Sequence, residues 1–478
     1  MTAAKSAPSR ANKPRKTNPK TLRIAVIGGG PKAAALAAKA EVLRRLRKAN
    51  VRVTIFEPDE IGAAWVGASG YTDGEQRLCT IAERDVGYPY NSMFGPYVAS
   101  AMASTFSWGR YLQSTSKSGY NTWVDSGRKP PLHRDFADYI QWVVQEASPR
   151  VIKERVSALS CHSGKWRVTG MRRNGKLYLH STLFDAVVAT GPGPARRVQT
   201  VVANGVPSES KRIFSGQDFW TRLDEVRACL GDVTTGNEFD SAKPIVIIGA
   251  GGTAAAVLSW LVSNGARHLP IQMVASQPAL YTRVDSVFEN RLFTDDEQWQ
   301  TLAPRTRKAF FDRLNRGVVW ATVMDQVSTA RDFTMVAGRA KRVKILNPDD
   351  IQLSVKRDDG VNIDLTPALL VDASGFDTWW FLKLVQGLTV LKGLKGKKQR
   401  DRWQDDIGKG LQLTGAPWDT HYPPLHTPML SSNIGPGFGS LMVLGAMADR
   451  VLQWHLQLPV PSAASLTGAK AATTEPGT

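Results

Sequence analysis

The sequence predicts an α/β fold with two parallel-sheet units, because one pattern of strand, glycine turn and helix occurs twice. The first copy lies in residues 23–57 and the second in residues 243–276. Each copy begins with a short apolar run, which is typical of a strand buried on both faces. A later strand that ends in small residues follows each copy, at residues 189–191 and 373–375. We therefore expect one unit to be inserted into the other.

The first glycine turn has the spacing of a dinucleotide-binding site. Gly28 permits a tight turn, Gly30 leaves room for a diphosphate, and Ala33 lets the helix pack close to the strand. Glu57 ends the second strand, where a carboxylate can accept hydrogen bonds from the hydroxyls of a ribose. The helix is expected to run to about residue 50. This segment predicts a Rossmann-like site for an adenine dinucleotide; the alternative is a fold of the same kind that binds no nucleotide.

The chain between the two turns contains further candidate elements. Trp65 follows a glycine turn, and its ring can either cover the cofactor or fill the core. Residues 67–130 are expected to form an irregular but ordered segment over the active side. A helix opening near residue 131 and several strands then lead to Gly191, where a small residue permits close contact with the cofactor.

The second glycine turn differs from the first at the end of its second strand. Gly249, Gly251 and Ala254 repeat the spacing of the first turn, but the strand ends in Ser276 where the first copy has an acid. A missing carboxylate removes repulsion against a ribose 2′-phosphate, which Ser276, Gln277 and Arg283 could bind. The sequence therefore favours NADP(H) over NAD(H) in this unit.

The C-terminal half contains a helical insertion, a hairpin and a glycine-rich loop. Residues 279–339 are predicted to be mostly helical, and strands on either side of residues 347–349 form a hairpin. A loop containing Gly437 and Ser440 precedes a helix that is expected to end near residue 456. Backbone N–H groups of this loop can contact the cofactor or the substrate.

The net charge of +19 is large, and part of it lies in the N-terminal tail and in residues 392–402. Such a charge could attract nucleic acid, an acidic carrier protein or an anionic substrate. A solvated surface explains the positive charge better, because no nucleic-acid motif with interleaved aromatic residues accompanies it.

The three cysteines have no paired spacing, which indicates reduced thiols in a cytoplasmic protein and no metal site. No apolar run of about 18 residues occurs, so no membrane contact is expected. A homo-oligomer is possible.

The order of these motifs resembles the class B flavin-dependent monooxygenases, and within them the siderophore-type lysine/ornithine N-hydroxylases. Residues 135–142 are similar to that family's acid-Phe-x-x-Tyr-x-x-Trp helix. Residues 285–293 are similar to its D-S-x-F-x-N-E-x-F element, and residues 435–450 to its glycine loop and helix. The resemblance covers residues 23–456, which is nearly all of the chain that is predicted to be ordered.

The resemblance implies FAD in the first unit, NADPH in the second, and a C4a-hydroperoxyflavin that transfers oxygen to a small amine. It implies that Asn290 contacts the substrate or the nicotinamide ribose and that Phe288 lies in the substrate site. It also implies the following domains: a disordered basic tail (1–22), the first part of the FAD-binding domain (23–235), the NADP(H)-binding domain (236–375) with its helical insertion (279–339), the return to the FAD-binding domain with the substrate region (376–457), and a disordered tail (458–478).

The sequence departs from the family pattern at three positions. Gln76 stands where the family has a lysine that anchors the substrate and lies near the cofactor, and His133 stands where it has an arginine. Arg291 replaces a glutamate after Asn290. Arg77 is a candidate replacement for the missing lysine.

Two other functions fit the sequence. One is oxygenation at sulfur or carbon, although Trp220 replaces the histidine of the Baeyer–Villiger fingerprint. The other is a flavin-binding protein without turnover whose basic surface binds an acidic partner.

Overall fold

The computed structural model describes residues 21–67, 70, 72–203, 209–235, 243–283, 286–315 and 318–457. The predicted disordered tails lie outside these residues, except for residues 21 and 22. Leu22 begins the first strand, so the prediction of a tail up to residue 22 is wrong at its end.

The described residues form the following strands: β1 Leu22–Ile27, β2 Val51–Phe56, β3 Arg150–Ile152, β4 Arg155–His162, β5 Lys165–Met171, β6 Leu177–Phe184, β7 Ala186–Ala189, β8 Gln199–Val202, β9 Ile213–Ser215, β10 Ile245–Ile248, β11 Ile271–Ala275, β12 Tyr281–Arg283, β13 Val318–Trp320, β14 Phe333–Asn347, β15 Asp350–Arg357, β16 Asn362–Leu365, β17 Leu369–Asp372 and β18 Leu425–His426.

The helices of the same residues are α1 Pro31–Arg45, α2 Pro96–Phe106, α3 Trp108–Thr115, α4 Gly119–Asp125, α5 His133–Ala147, α6 Asp218–Thr221, α7 Leu223–Thr235, α8 Gly252–Ser263, α9 Val287–Thr294, α10 Asp296–Thr301, α11 Pro304–Asn315, α12 Ala321–Val327, α13 Gly393–Asp405, α14 Trp418–His421 and α15 Leu444–Leu456. Short 3₁₀ turns occur at Ala63–Trp65, Ala266–His268, Trp380–Leu384 and Pro428–Leu430.

The first sheet is parallel and has the strand order β18-β7-β1-β2-β3. Helix α1 lies between this sheet and helices α5 and α15. Its alanines are buried around the whole helix rather than along one stripe, because neighbours cover it on every side. The helix ends at Arg45, five residues before the predicted end, and Leu46 after it is 40% exposed.

The second sheet has the order β16-β15-β14-β11-β10-β17-β9, with β8 paired to β14. Strand β14 pairs in parallel with β11 through its first residues and antiparallel with β15 through its later ones. The β14–β15 hairpin was predicted from the sequence and is confirmed. The third sheet is antiparallel, β4-β5-β6, and connects β3 to β7.

Strands β8 and β9 belong to the second sheet, although the sequence assigned them to the first unit. Helix α7 follows them, and its Val226 and Leu230 lie in the core of the second unit. Trp220 also lies in that core and is 3% exposed. The predicted boundary between residues 235 and 236 is therefore too late, since partners distant in sequence decide which sheet a short strand joins. We propose that the second unit begins near residue 199.

Two connections between the sheets run side by side. Ala195 and Phe376 form an antiparallel bridge. The N–H of Arg196 donates to the carbonyl of Gly375 at 2.8 Å, and the N–H of Asp377 donates to that of Pro194 at 2.9 Å. The chain thus leaves the first unit and returns to it at one place, as expected for an inserted unit.

Residues 67–130 are more regular than predicted. Helices α2, α3 and α4 occupy much of this segment. Val98, Met102 and Phe106 are spaced by four residues on α2, and all three are fully buried. This helical spacing lies between loop-like sequences rich in Gly, Pro and Ser.

Candidate functional site

The first glycine turn is shaped by contact with the strand end at residues 189–191. Gly28 has a φ of +101°, and a Cβ there would lie 2.8 Å from the hydroxyl oxygen of Thr190. That hydroxyl donates a hydrogen bond of 2.8 Å to the carbonyl of Ile27. A Cβ on Gly30, in contrast, would meet no atom within 4 Å. The open space beside the start of α1 fits a diphosphate.

Glu57 lies directly after β2 and faces the same turn. Its carboxylate accepts hydrogen bonds from the N–H of Gly29 at 2.7 Å and of Asp59 at 3.1 Å. Burial raises the pKa of Glu57, and the two N–H groups oppose this rise. The carboxylate is therefore held at the strand end, where a ribose of FAD would reach it.

The second glycine turn repeats this construction. Gly249 has a φ of +106°, and a Cβ there would lie 2.4 Å from the carbonyl oxygen of Ala373. A Cβ on Gly251 would meet no atom within 4 Å, and Ala254 is fully buried against the strand. The open space again fits a dinucleotide diphosphate. Ser276 is exposed directly after β11, and no carboxylate ends this strand.

Arg283 packs against α9, since its guanidinium carbon is 5.3 Å from the ring centre of Phe293. Its contact with a ribose 2′-phosphate stays a prediction.

Gly191 is held by the second connection between the sheets. Its carbonyl accepts a hydrogen bond of 3.2 Å from Nε1 of Trp380. A Cβ on the nearby Gly193 would lie 2.3 Å from the ring of the same tryptophan. The strand end that contacts the first turn is thus fixed by the chain returning from the second unit.

Trp65, His133 and Gln76 are brought together beside the start of α5. The rings of Trp65 and His133 meet edge to face, with centres 4.8 Å apart. The N–H of His133 donates to the carbonyl of Gln76 at 2.8 Å. Nδ1 of His133 lies 2.9 Å from the hydroxyl of Thr72. Burial lowers the pKa of His133 to about 4, so the ring is neutral at pH 7.

Gln76 and Arg77 point to opposite faces of their extended segment. Oε1 of Gln76 is buried and has no hydrogen-bond partner within the described part of the chain. The guanidinium of Arg77 is exposed and donates to the carbonyl of Pro130 at 2.7 Å. A buried acceptor without a partner is costly, and a ligand can remove that cost. The geometry thus favours Gln76 over Arg77 as a ligand-facing residue.

Residues 435–443, here called the glycine loop, contact three other parts of the site. Nζ of Lys32 donates to the carbonyl of Gly439 at 2.9 Å. Nη1 of Arg84 lies 3.1 Å from the sulfur of Met442. A Cβ on Gly437 would lie 3.2 Å from the ring of Phe293 on α9. The loop therefore joins the first turn, the segment after Gln76, and the helical insertion.

Ser440 lies at the exposed edge of the glycine loop. Its hydroxyl donates to the carbonyl of Gly437 at 3.0 Å and accepts from the N–H of Met442 at 3.2 Å. These bonds fix the shape of the loop.

Helix α9 carries the candidate residues of the insertion. Asn290 is half-buried, and Phe288 is 77% exposed. Phe293 anchors the helix in the core of the first unit. Asp285, the first residue of the D-S-x-F element, lies outside the described residues. The insertion thus reaches the first unit, although it follows a strand of the second.

Sequence reasoning missed Lys32 and Arg84, which are 8% and 5% exposed. Lys32 had a usable signal, since a cation in the first turn of an alanine-rich helix that is otherwise apolar is unusual. Arg84 had none, because it follows an irregular segment.

The fold and the two turns define a protein of the two-dinucleotide kind, with FAD and NADPH as cofactors. A family model described as L-lysine 6-monooxygenase/L-ornithine 5-monooxygenase matches residues 99–369. The chain belongs to this family, so it is an N-hydroxylating monooxygenase. The family assignment confirms the resemblance drawn from the sequence.

Curated relatives match over nearly their full length. The L-lysine N6-monooxygenase MbtG of Mycobacterium sp. (strain MCS) is 33% identical over 443 residues, which cover 90% of this chain and 95% of that protein. MbtG of Mycobacterium tuberculosis (strain H37Rv) is also 33% identical, over 441 residues covering 90% of this chain and 94% of the relative.

Solved structures show the same fold. The lysine monooxygenase NbtG from Nocardia farcinica has a TM-score of 0.70 and 27% identity, covering 90% of this chain and 99% of its own. The ornithine N-hydroxylase KtzI from Kutzneria sp. 744, with FAD, NADP+ and L-ornithine, has a TM-score of 0.65 and 15% identity, covering 92% and 99%. At that identity the second likeness shows the fold alone.

Among the described residues, no helix is both long enough and apolar enough to cross a membrane.

Proposed function

We propose that this chain uses FAD, NADPH and O2 to hydroxylate the terminal amine of lysine or of a lysine derivative. The observation that carries the proposal is the 33% identity, over 90% of the chain, to proteins named L-lysine N6-monooxygenase. When bound, FAD supplies the activation of O2 and the transfer of one oxygen atom to a nucleophilic amine.

The chain's own residues bind the cofactors, orient the reactants and exclude water. The turns at Gly30 and Gly251 would hold the two diphosphates, and Glu57 would accept a hydrogen bond from a ribose hydroxyl. Trp65 and His133 form an apolar wall that keeps water from the reacting centre. Because His133 is neutral at pH 7, it holds the wall without attracting water as a charged group would.

The proposed substrate contacts lie on two segments. Gln76 is the leading candidate, because its buried Oε1 lacks a partner. Asn290 and Phe288 are proposed to approach the substrate or the nicotinamide ribose from α9, and the contact of Phe293 with the glycine loop supports this. Arg77 is a weaker candidate, since its guanidinium is exposed and bonded to Pro130.

The neutral pair of Gln76 and His133 favours a lysine derivative whose carboxylate is masked. Both residues stand where the family has a cationic side chain. His133 does not replace that charge at pH 7, because its pKa is lowered to about 4. The neighbouring Arg134 is paired with Glu75. A free carboxylate would therefore meet little positive charge beside Gln76.

An amine panel tests this function. The purified chain, loaded with FAD, is given NADPH and either L-lysine, L-lysinamide, L-ornithine or cadaverine, and hydroxylamine product is measured alongside NADPH oxidation. We expect product from the lysine compounds, with a lower KM for L-lysinamide than for L-lysine. No hydroxylamine from any lysine compound would contradict the proposal, and a lower KM for L-lysine would contradict the masked carboxylate.

We also propose a cytoplasmic location, which the three cysteines without paired spacing support. A homo-oligomer stays a prediction.

A further inference from the structure

Lys32 is a buried cation that joins the first turn to the glycine loop. It is the second residue of α1, two positions beyond Gly30, and it is 8% exposed. Its Nζ donates to the carbonyl of Gly439 at 2.9 Å. One side chain therefore spans from the diphosphate-binding turn to the loop that precedes α15.

Lys32 has no negative partner among the described residues. Burial lowers its pKa to about 8, and no carboxylate opposes this shift. Lys39 provides the contrast, because it lies two turns further along the same face of α1 and is also buried, at 1% exposed. Its Nζ lies 2.6 Å from the carboxylate of Asp449. Each buried lysine on this face is thus fixed by the C-terminal segment, but only Lys39 has its charge balanced there.

A lone buried cation at this position is unfavourable in the protein without its cofactor. Removing a charge from water costs several kcal/mol unless an opposite charge compensates it. The start of a helix adds to that cost, because its N–H groups already give it a partial positive charge. An anion in the open space beside Gly30 would reverse both effects.

We propose that Lys32 provides the counter-charge for the FAD diphosphate and couples FAD binding to the position of the glycine loop. The diphosphate is the negative group that the first turn accommodates, and Lys32 lies at the start of the same helix. FAD binding then fixes Lys32, and Lys32 fixes Gly439. This inference rests on FAD as the cofactor and not on the identity of the substrate.

FAD affinity of the deflavinated full-length chain tests the counter-charge. We expect Lys32→Met to raise the Kd for FAD by roughly 30- to 1,000-fold, as loss of one partner from a buried charge pair does. The control Lys48→Met removes one exposed positive charge just after α1 and should change the Kd less than about twofold. An unchanged Kd for Lys32→Met would overturn the proposal.

Competition with ADP identifies which part of FAD Lys32 contacts. ADP carries the diphosphate without the flavin ring, so the Kd for ADP obtained from the competition should rise in Lys32→Met by a factor similar to that for FAD itself. A loss of FAD affinity with ADP affinity unchanged would place Lys32 at the ring and overturn the proposal.

Thermal unfolding of the deflavinated protein separates this role from a structural one. Since Lys32→Met removes an uncompensated buried charge, the variant without FAD should melt at the same temperature as the wild type or higher. A lower melting temperature would indicate that Lys32 only supports the fold. Hydrogen exchange should show FAD protecting residues 437–442 in the wild type, and equal protection in a FAD-saturated variant would contradict the coupling.

Discussion

The carboxylate of Glu57 accepts a hydrogen bond of 2.7 Å from the N–H of Gly29, across the turn that connects β1 to α1. The same carboxylate accepts a second bond from Asp59, so it is fixed before any ribose reaches it. The first unit thus presents its acid and its phosphate-binding turn as one rigid group.

Replacing Glu57 should weaken FAD binding. Glu57→Ala removes the acceptor of both N–H groups, and we expect the Kd for FAD to rise by roughly 10- to 100-fold, the usual size for hydrogen bonds to a charged group. Glu60→Gln is the control, since Glu60 is an exposed acid that pairs with Lys153. Flavin fluorescence titration measures both, and equal Kd values would rule out the role of Glu57.

The matched substitutions Gly30→Leu and Gly251→Leu should separate the two cofactors. A Cβ at either position meets no atom within 4 Å, so both proteins should fold. Gly30→Leu should abolish FAD binding, whereas Gly251→Leu should keep FAD bound but no longer be reduced by NADPH at useful rates. Absorbance spectra and anaerobic flavin reduction report the result. If Gly251→Leu lost FAD, or if both variants kept both activities, the assignment of the two turns would be wrong.

Gln76 should affect substrate binding more than Arg77 does. Gln76→Met keeps the length of the side chain but removes its polar end, and we expect KM to rise by about 3- to 10-fold, the range of a neutral hydrogen bond. FAD affinity should not change. Arg77→Met should leave KM within about twofold, because Arg77 is exposed and bonded to Pro130. The reverse order of the two effects would show that Arg77 replaces the family lysine.

A buried histidine pair should make the protein sensitive to acid. The Nε2 atoms of His426 and His455 lie 2.9 Å apart, and Nδ1 of His426 lies 2.7 Å from the carbonyl of Gly410. Burial lowers the pKa of His426 to about 3 and that of His455 to about 4. As the pH falls below the ordinary histidine pKa of about 6.5, the unfolded chain takes up protons first, so stability is lost between about pH 6.5 and about 3.

We expect this loss to be roughly 5 kcal/mol for the pair between about pH 6.5 and 4.5, since each histidine contributes about 1.4 kcal/mol per pH unit there. Melting temperatures measured from pH 7.5 to 4.5 should fall less steeply for His455→Gln, which can still donate to His426. The exposed His421 is the control, and His421→Gln should follow the wild type. Identical slopes for all three proteins would mean that the pair does not carry the effect.

The two turns could be predicted because each depends on residues close together in sequence. Gly28 and Gly249 both have the positive φ that their turns require, and β1 and β10 each lie between two parallel neighbours. The end of α15 at Leu456 was also predicted from local pattern.

The assignment of β8 and β9 could not be predicted, because each strand is short and its partner lies more than 100 residues away. The buried oxygen of Gln76 and the partner of Lys32 depend on three-dimensional packing, which no spacing reveals. Helix α2 was missed although Val98, Met102 and Phe106 carry a helical pattern.

The proposed reaction transfers one oxygen atom to the side-chain nitrogen of a lysine-type substrate. The most direct measurement is mass spectrometry of the product formed from L-lysine or L-lysinamide under isotopically labelled O2, with fragmentation to locate the label. We expect one labelled oxygen on the terminal nitrogen for each substrate molecule converted. Label on carbon, or consumption of NADPH with hydrogen peroxide as the only product, would contradict it.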